Sequence, residues 1–232
     1  MFDDIGPITV VIPARAGSKR LLKKNIKIIA DKPLIEWTVD VALSCFDKQS
    51  ILVSTDDSEI ISIAKSKGLR VPAKRPSYLC ADDTTTQDVV LYELNKAKKY
   101  NGVVLILQPT SPLRTKEDIQ NSINTYKKYN ATGVVSVCEC DHPPEWINTL
   151  SDDLSMENFL KIDQDRRSQD LSKSYRLNGA IYLFDIFKYR QIKNIINDKN
   201  TFAYIMDKRS SIDIDDDLDF QIAEMILVSR NE

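Results

Sequence analysis

The 232-residue sequence predicts an open, mostly parallel α/β sheet with helices on both faces, a Rossmann-like arrangement. Three observations carry the prediction. Short apolar runs alternate with amphipathic ones from the start of the chain to about residue 137. The run VVLIL at 103–107 is apolar throughout, as a parallel strand buried on both faces must be. The runs follow a repeated β-α-β-α order, which a parallel sheet with crossover helices requires.

Taken in order, ITVVIP at 8–13 reads as a buried strand, and LIEWTVDVALSC at 34–45 has helical spacing. Residues 51–54 form a second strand, and 58–67 a helix closed by Gly68 on its C-terminal side. A weak strand is expected at 69–73 and a helix at 87–100. After the strand at 103–107, a helix spans 115–129 with Thr115 or a neighbour at its cap, and a strand runs over 133–137. The rhythm then breaks. Residues 141–178 are polar, charged and irregular, with Pro143, Pro144, Arg166 and Arg167, and read as an excursion that serves as a dimerisation arm or a lid. Strands resume at 180–184 and 202–206, and an amphipathic helix closes the chain at 218–229. The whole, 1–232, reads as one domain with an excursion.

Composition narrows the function. A net charge of −2 gives no reason to expect a nucleic acid or membrane partner. The start, MFDDIGPITVVIPAR, has acids at once and lacks a basic n-region, and no apolar stretch reaches the roughly 18 residues of a membrane helix. A cytoplasmic protein is the expectation. The four cysteines, at 45, 80, 138 and 140, show no C-x-x-C spacing and read as reduced apolar residues. With His142 the sole histidine, a multi-histidine zinc site is ruled out, and no serine sits in a G-x-S-x-G elbow.

Four segments carry candidate chemistry. Residues 14–25, ARAGSKRLLKKN, follow the first strand and hold five bases, Arg15, Lys19, Arg20, Lys23 and Lys24, with no acid. In open α/β sheets ligands bind beyond the carboxyl ends of the strands. Small residues Ala16, Gly17 and Ser18 let backbone N–H groups approach an anion, and the bases would neutralise a triphosphate. The spacing is neither a P-loop nor G-x-G-x-x-G. On composition alone it fits a solvated basic loop equally. QPTSPLR at 108–114 also follows a buried strand, and its prolines stiffen a loop bearing Gln108, Thr110, Ser111 and Arg114. It suits a base or sugar pocket, or a turn and helix cap. In SIDIDDD at 211–217, Asp213 and Asp215 are two apart in an extended run and point one way, as hard oxygen ligands for Mg²⁺ would, while Asp216 and Asp217 suit a helix cap. In NGAIY at 178–182, Gly179 permits close backbone approach, and Asn178 and Tyr182 are candidate substrate contacts. Asp56–Asp57, and Asp82–Asp83 with Thr84–Thr86, read as helix caps, with a nucleotide contact by Thr86 as the alternative.

With these residues in view, the chain resembles the bacterial acylneuraminate cytidylyltransferases, or CMP-sialic acid synthetases. The stretches that carry the resemblance are IPARAGSKRLLKKN (12–25), LVSTDD (52–57), RPSYLCADDT (75–84), LQPTSPLR (107–114), RLNGAIY (176–182) and SIDIDDDLDF (211–220), in the family's order. The resemblance implies transfer of CMP from CTP to an acidic nine-carbon sugar, with release of pyrophosphate. It implies that Arg15, Ala16, Gly17, Ser18, Lys24 and Asn25 surround the CTP phosphates, and that Arg75 and Thr86 lie near the nucleotide. It further implies Gln108, Thr110 and Ser111 on the sugar side, Arg176, Asn178, Gly179, Ala180 and Tyr182 in the sugar and carboxylate pocket, and Asp213 and Asp215 as Mg²⁺ ligands. Arg15, Lys24, Asp213 and Asp215 would be the catalytic group. A homodimer is implied, its excursion reaching into the partner's site. Leu22 departs from a common Pro, HPPEW at 142–146 is unlike relatives, and the family arginine ahead of NGAIY falls on Arg166 or Arg167. Legionaminic or pseudaminic acid is the alternative sugar. A CTP-binding protein without catalysis and a transferase using CMP-sugar as donor are the alternative classes.

Overall fold

The computed structural model describes residues 5–18, 20–71, 74–157, 159–160 and 172–230. Lys19, Arg166 and Arg167 lie outside these. Six strands form the main sheet: β1 (Ile8–Pro13), β4 (Ile51–Ser54), β5 (Val103–Leu107), β6 (Gly133–Glu139), β7 (Tyr175–Asp185) and β8 (Thr201–Ile205). Two short strands, β2 (Ile28–Ile29) and β3 (Lys32–Pro33), pair with each other as a separate hairpin that the sequence pattern did not announce. The sheet order is β4-β1-β5-β7-β6-β8. Strand β1 is parallel to β4 and β5, and β6 to β8. Only β7 runs the other way, antiparallel to both β5 and β6. The predicted open, mostly parallel α/β sheet is therefore present, with one reversed strand inside it.

Among the described residues six α-helices flank the sheet: α1 (Leu34–Leu43), α2 (Ser58–Ser66), α3 (Thr86–Lys96), α4 (Lys116–Tyr129), α5 (Ile186–Gln191) and α6 (Asp217–Arg230). Period-two alternation divides the strands between two cores. Val10 and Ile12 of β1, with Leu105 and Leu107 of β5, pack against Ile35, Val39 and Ile60 of α1 and α2. Val11, Val104 and Ile106 face the other way, onto Val90 and Leu94 of α3 and Tyr189 of α5. Helix α6 makes a third cluster through Phe220, Ala223 and Leu227, which close over Leu34, Leu113 and Ile214.

Local chemistry sets the helix ends. Asp57 caps α2 by accepting from Glu59 and Ile60 N–H, as expected. Thr115 and Asp118 form a reciprocal capping box on α4. Asp216 accepts from the N–H groups of Leu218 and Asp219 and starts α6, while Asp217 pairs with Lys27 at 3.0 Å. Within the expected capping run at 82–86, Thr85 is the residue that caps α3: its hydroxyl accepts from Asp88 N–H at 3.1 Å. Two expectations are corrected. The strand at 69–73 is reduced to an isolated bridge between Leu52 and Arg70, because only one rung of pairing reaches β4, with 72–73 outside the described residues. The excursion ends earlier than 178, since 175–177 already pair with β6.

Strand β7 carries the irregularity that matters most. The register shifts between Val135 and Val137, and Gly179 has φ +74. Ser136 fastens the bulge: its hydroxyl donates to Asn178 Oδ1 at 2.6 Å and accepts from Ile181 N–H at 2.8 Å. Bulges of this kind re-aim a strand next to a site.

Candidate functional site

The loops after β1 and β5 open on one edge of the sheet. β4 lies on one side of β1 and β5 on the other, so the β1/β5 boundary is the switch point where such sheets take ligands. A cavity of about 520 Å³ occupies this place. That volume lies within the range of cofactor-sized pockets, roughly 300–1,000 Å³. From the first loop it is lined by Arg15, Gly17, Ser18, Lys24 and Asn25. Arg20, Arg75, Thr86, Gln108, Thr110 and Asp215 also line it.

Each cation in the wall is held differently. Arg15 pairs with Asp82 at 3.0 Å and donates to Cys80 and Ala81 carbonyls at 3.3 Å. Lys24 is nearly buried; its Nζ donates to the Ile214 carbonyl and lies 3.7 Å from Asp215. Burial lowers its pKa below the ordinary lysine value, and the charges of Asp215 and Asp213 only partly offset this. Arg75 is 5% exposed. Its Nη2 donates to the Ser54 carbonyl at 2.7 Å and its Nε to the Ser54 hydroxyl at 3.0 Å, which in turn donates to Glu93 at 2.7 Å. Glu93 is fully buried, which pushes its carboxyl pKa up. This Glu93–Ser54–Arg75 chain was not read from sequence, because it joins residues from β4, α3 and a loop that no local pattern connects.

Asn25 Nδ2 donates to the Arg15 carbonyl at 3.0 Å and so shapes the loop as well as lining the cavity. Ala16 is not in the wall: its N–H is taken by Asp56 at 2.8 Å. The Asp56–Asp57 pair is thus split, one residue fixing the basic loop and the other capping α2. Ser111 is fully buried, its hydroxyl without a hydrogen-bond partner among the described residues, and it does not line the cavity. Asn178 is spent on structure, since its amide donates to Ser211 Oγ at 2.9 Å and Met206 Sδ while its oxygen accepts from Ser136 and Ala180. Arg176 is exposed beside Cys138 in the β6–β7 pairing and joins neither cavity wall. Ala180 is buried, its carbonyl accepting from Arg114 at 2.7 Å. Arg114, fully buried and with its pKa lowered to about 9 by desolvation, also donates to the Gln108 carbonyl and Thr38 Oγ1, tying the QPTSPLR loop to β7 and α1.

Tyr182 opens onto a second cavity of about 200 Å³ that adjoins the first, with Thr86 and Gln108 in both walls. Ile106, Phe184, Tyr189 and residues 193–196 complete it. Sequence reading missed the 189–196 contribution, since KNIIN lacks any motif.

Asp213 and Asp215 share the Lys24 side but not the same surroundings. Asp215 is exposed and pairs with Arg20 at 2.9 Å. Asp213 is largely enclosed, its Oδ1 sealed from solvent without a hydrogen-bond partner among the described residues. Burial raises its pKa above the usual carboxylate range, against the lowering effect of the Thr110 hydroxyl. A Cβ on Gly179 would stand 3.0 Å from Asp213 Oδ2 and 3.1 Å from Gln108 Oε1, so glycine is required both by its φ and by space. Gly179→Ala is expected to cost roughly 1–2 kcal/mol from the left-handed backbone. In a thermal melt this amounts to about 4 °C for a chain of this length. An unchanged melting temperature would show that the bulge relaxes freely.

The fold and cavity define an open α/β protein of the class that takes its ligand at the switch point beyond the strand ends. A family profile described as Cytidylyltransferase matches residues 9–198, and the chain belongs to the cytidylyltransferase family. It is 35% identical over 227 residues to an N-acylneuraminate cytidylyltransferase of Escherichia coli O18:K1:H7, covering 97% of this chain and 53% of that protein. The chain thus spans about half the length of the N-acylneuraminate cytidylyltransferases it matches. It is 33% identical over 237 residues to a CMP-N,N'-diacetyllegionaminic acid synthase of Legionella pneumophila, covering 97% of this chain and 98% of that one. A solved structure of CMP:2-keto-3-deoxy-manno-octonic acid synthetase complexed with CTP superimposes with a TM-score of 0.68 at 14% identity, covering 96% of this chain and 99% of that one; this likeness concerns the fold. No helix among the described residues is long and apolar enough to cross a membrane.

Proposed function

We propose that the protein transfers CMP from CTP to N-acetylneuraminic acid or a related nonulosonic acid, releasing pyrophosphate and forming the CMP-sugar. The observation that carries this reading is the pair of adjoining cavities: the larger is lined by Arg15, Lys24 and Arg75, and the smaller shares its Thr86 and Gln108 wall. A triphosphate in the first and an acceptor hydroxyl in the second meet at that wall. The sugar hydroxyl attacks the α-phosphorus in line, its proton passes to a carboxylate, and pyrophosphate departs. Such chemistry needs positioning and charge neutralisation more than a protein nucleophile. Lys24 and Arg15 neutralise phosphate charge, Arg75 is held ready by Ser54, and Gln108 and Tyr182 orient the acceptor.

Mg²⁺ fits the acidic pair. Among the described residues no group of three or more metal-binding side chains forms, so an all-protein cage is absent. Mg²⁺ is commonly held by one or two carboxylates together with substrate phosphates and water. Asp213 has a sealed oxygen lacking a partner, and Asp215 stands beside the cavity, so the two would hold an ion arriving with the triphosphate. When bound, the ion supplies positive charge to the phosphate oxygens.

A homodimer and a cytoplasmic location belong to the same reading. Exposed Trp146, Ile147, Leu150, Leu154 and Met156 in the excursion support an interface with a second copy. The four free cysteines suit a reducing compartment.

Pyrophosphate release from CTP with a panel of nonulosonic acids, with and without Mg²⁺, tests the reaction. Release with one acid, only with the metal, is the expected result and names the sugar, legionaminic and pseudaminic acids included. Tight CTP binding without release from any acid would make this a binding protein, and release of free CMP in place of pyrophosphate would make it a transferase using the CMP-sugar.

A further inference from the structure

We propose that Lys193 recognises the carboxylate of the acidic acceptor at the mouth of the second cavity, an inference that rests on the function proposed above. Lys193 is the only charged residue in that cavity's wall among the described residues; the rest is aliphatic, aromatic or neutral polar. A carboxylate entering so apolar a space loses hydration and must recover it from a charge-assisted donor. The cations of the neighbouring cavity are engaged, Arg15 by Asp82, Arg20 by Asp215, Lys24 by Asp215 and the Ile214 carbonyl, and Arg75 by Ser54. Arg176, the β7 cation expected at the carboxylate, lines neither cavity. Among the described residues no acid pairs with Lys193, so its ammonium group is available to a ligand.

The backbone that carries Lys193 is tied on both sides. Gln87 Nε2 donates to the carbonyls of Tyr189 at 2.8 Å and Ile192 at 3.2 Å. Beyond Lys193, Ile195 is buried and its carbonyl accepts from Thr201 Oγ1 at 2.7 Å. A flexible lysine stem thus springs from a short, anchored bridge, which lowers the ordering cost of binding. Gln87 follows Thr86, one of the two residues common to both cavities, so one turn of α3 sets the position of the nucleotide wall and of the Lys193 bridge together.

The test uses the full chain with CTP present and divalent cation withheld, so that no turnover occurs. Binding of an acid and of its carboxylate methyl ester is measured by calorimetry for wild type, Lys193→Met and Lys193→Arg. The acid is the one that supports pyrophosphate release, or N-acetylneuraminate if none does. Wild type is expected to bind the acid about tenfold more tightly than the ester, as one charge-assisted hydrogen bond provides. Lys193→Met is expected to bind both at the ester's affinity, and Lys193→Arg to restore most of the preference, with CTP affinity and melting temperature unchanged in both. A preference that survives in Lys193→Met, or is absent from wild type, overturns the assignment. Wild-type pyrophosphate release judges the proposed reaction separately: release with an unchanged KM for the acid in Lys193→Met defeats Lys193 alone, whereas no release with any acid defeats the reaction.

Discussion

Lys24→Ala is expected to lower kcat for pyrophosphate release by about a hundred- to a thousandfold, the loss seen when one preorganised donor to a developing charge is removed. Lys24 is suited to that role because its stem is nearly buried and its Nζ is steered by the Ile214 carbonyl and Asp215. Enclosure makes its charge act through little water, and so more strongly than a surface lysine. The same enclosure sets a pH signature. The folded chain lowers the Lys24 pKa below 10.5, so the unfolded chain holds that proton more tightly. The buried charge is therefore a stability cost at neutral pH, and the cost fades as pH rises through the lowered pKa towards 10.5. Activity runs the opposite way, falling on the alkaline side below 10.5 as the charge is lost. Lys24→Arg, which keeps its charge, is expected to move that alkaline limb upward. Full turnover in Lys24→Ala would remove Lys24 from the reaction.

Asp213→Asn is expected to reduce metal-dependent turnover at least a thousandfold while raising the melting temperature of the metal-free protein. The two effects share one cause. Asp213 Oδ1 is sealed without a hydrogen-bond partner, so the ionised carboxylate is imperfectly compensated until a cation approaches. Its folded pKa is raised, so the folded chain holds the carboxyl proton more tightly than the unfolded one. The stability penalty is absent below pH 3.8, grows as pH rises through the raised pKa, and is fully present above it. Asparagine removes that penalty, worth about 1 kcal/mol for one such group, or about 2–4 °C at this chain length. The check is a pair of melts without divalent cation at pH 5 and pH 8, beside a Mg²⁺ titration of pyrophosphate release. A lower melting temperature for Asp213→Asn would mean that its charge is already well paired with Lys24, and a normal Mg²⁺ response would remove it from the metal site.

Local patterns revealed most of the frame. VVLIL read as a strand buried on both sides, and its alternate residues do serve two cores. The basic loop after β1 and the stiff loop after β5 were legible as ligand loops because strand ends at a switch point are where chain and ligand meet. Less legible were the residues whose work depends on distant partners. Asn178 and Ala16 look like ligand contacts in a motif, yet their hydrogen bonds are consumed by Ser136, Ser211 and Asp56. Residue spacing records what a side chain can do, not which partner reaches it first.

By itself, the sequence determined the α/β class, the strand-end loops that line the larger cavity and the family to which the chain belongs. These follow from periodicity and short motifs, which act within a few residues. Only the tertiary structure decided that β7 enters the sheet reversed, that Asp213 is enclosed while Asp215 is exposed, and that Lys193 stands at the second cavity with no ion-paired acid among the described residues. Each depends on segments tens of residues apart packing together, and burial, which sets the cost of a charge, exists only once they have.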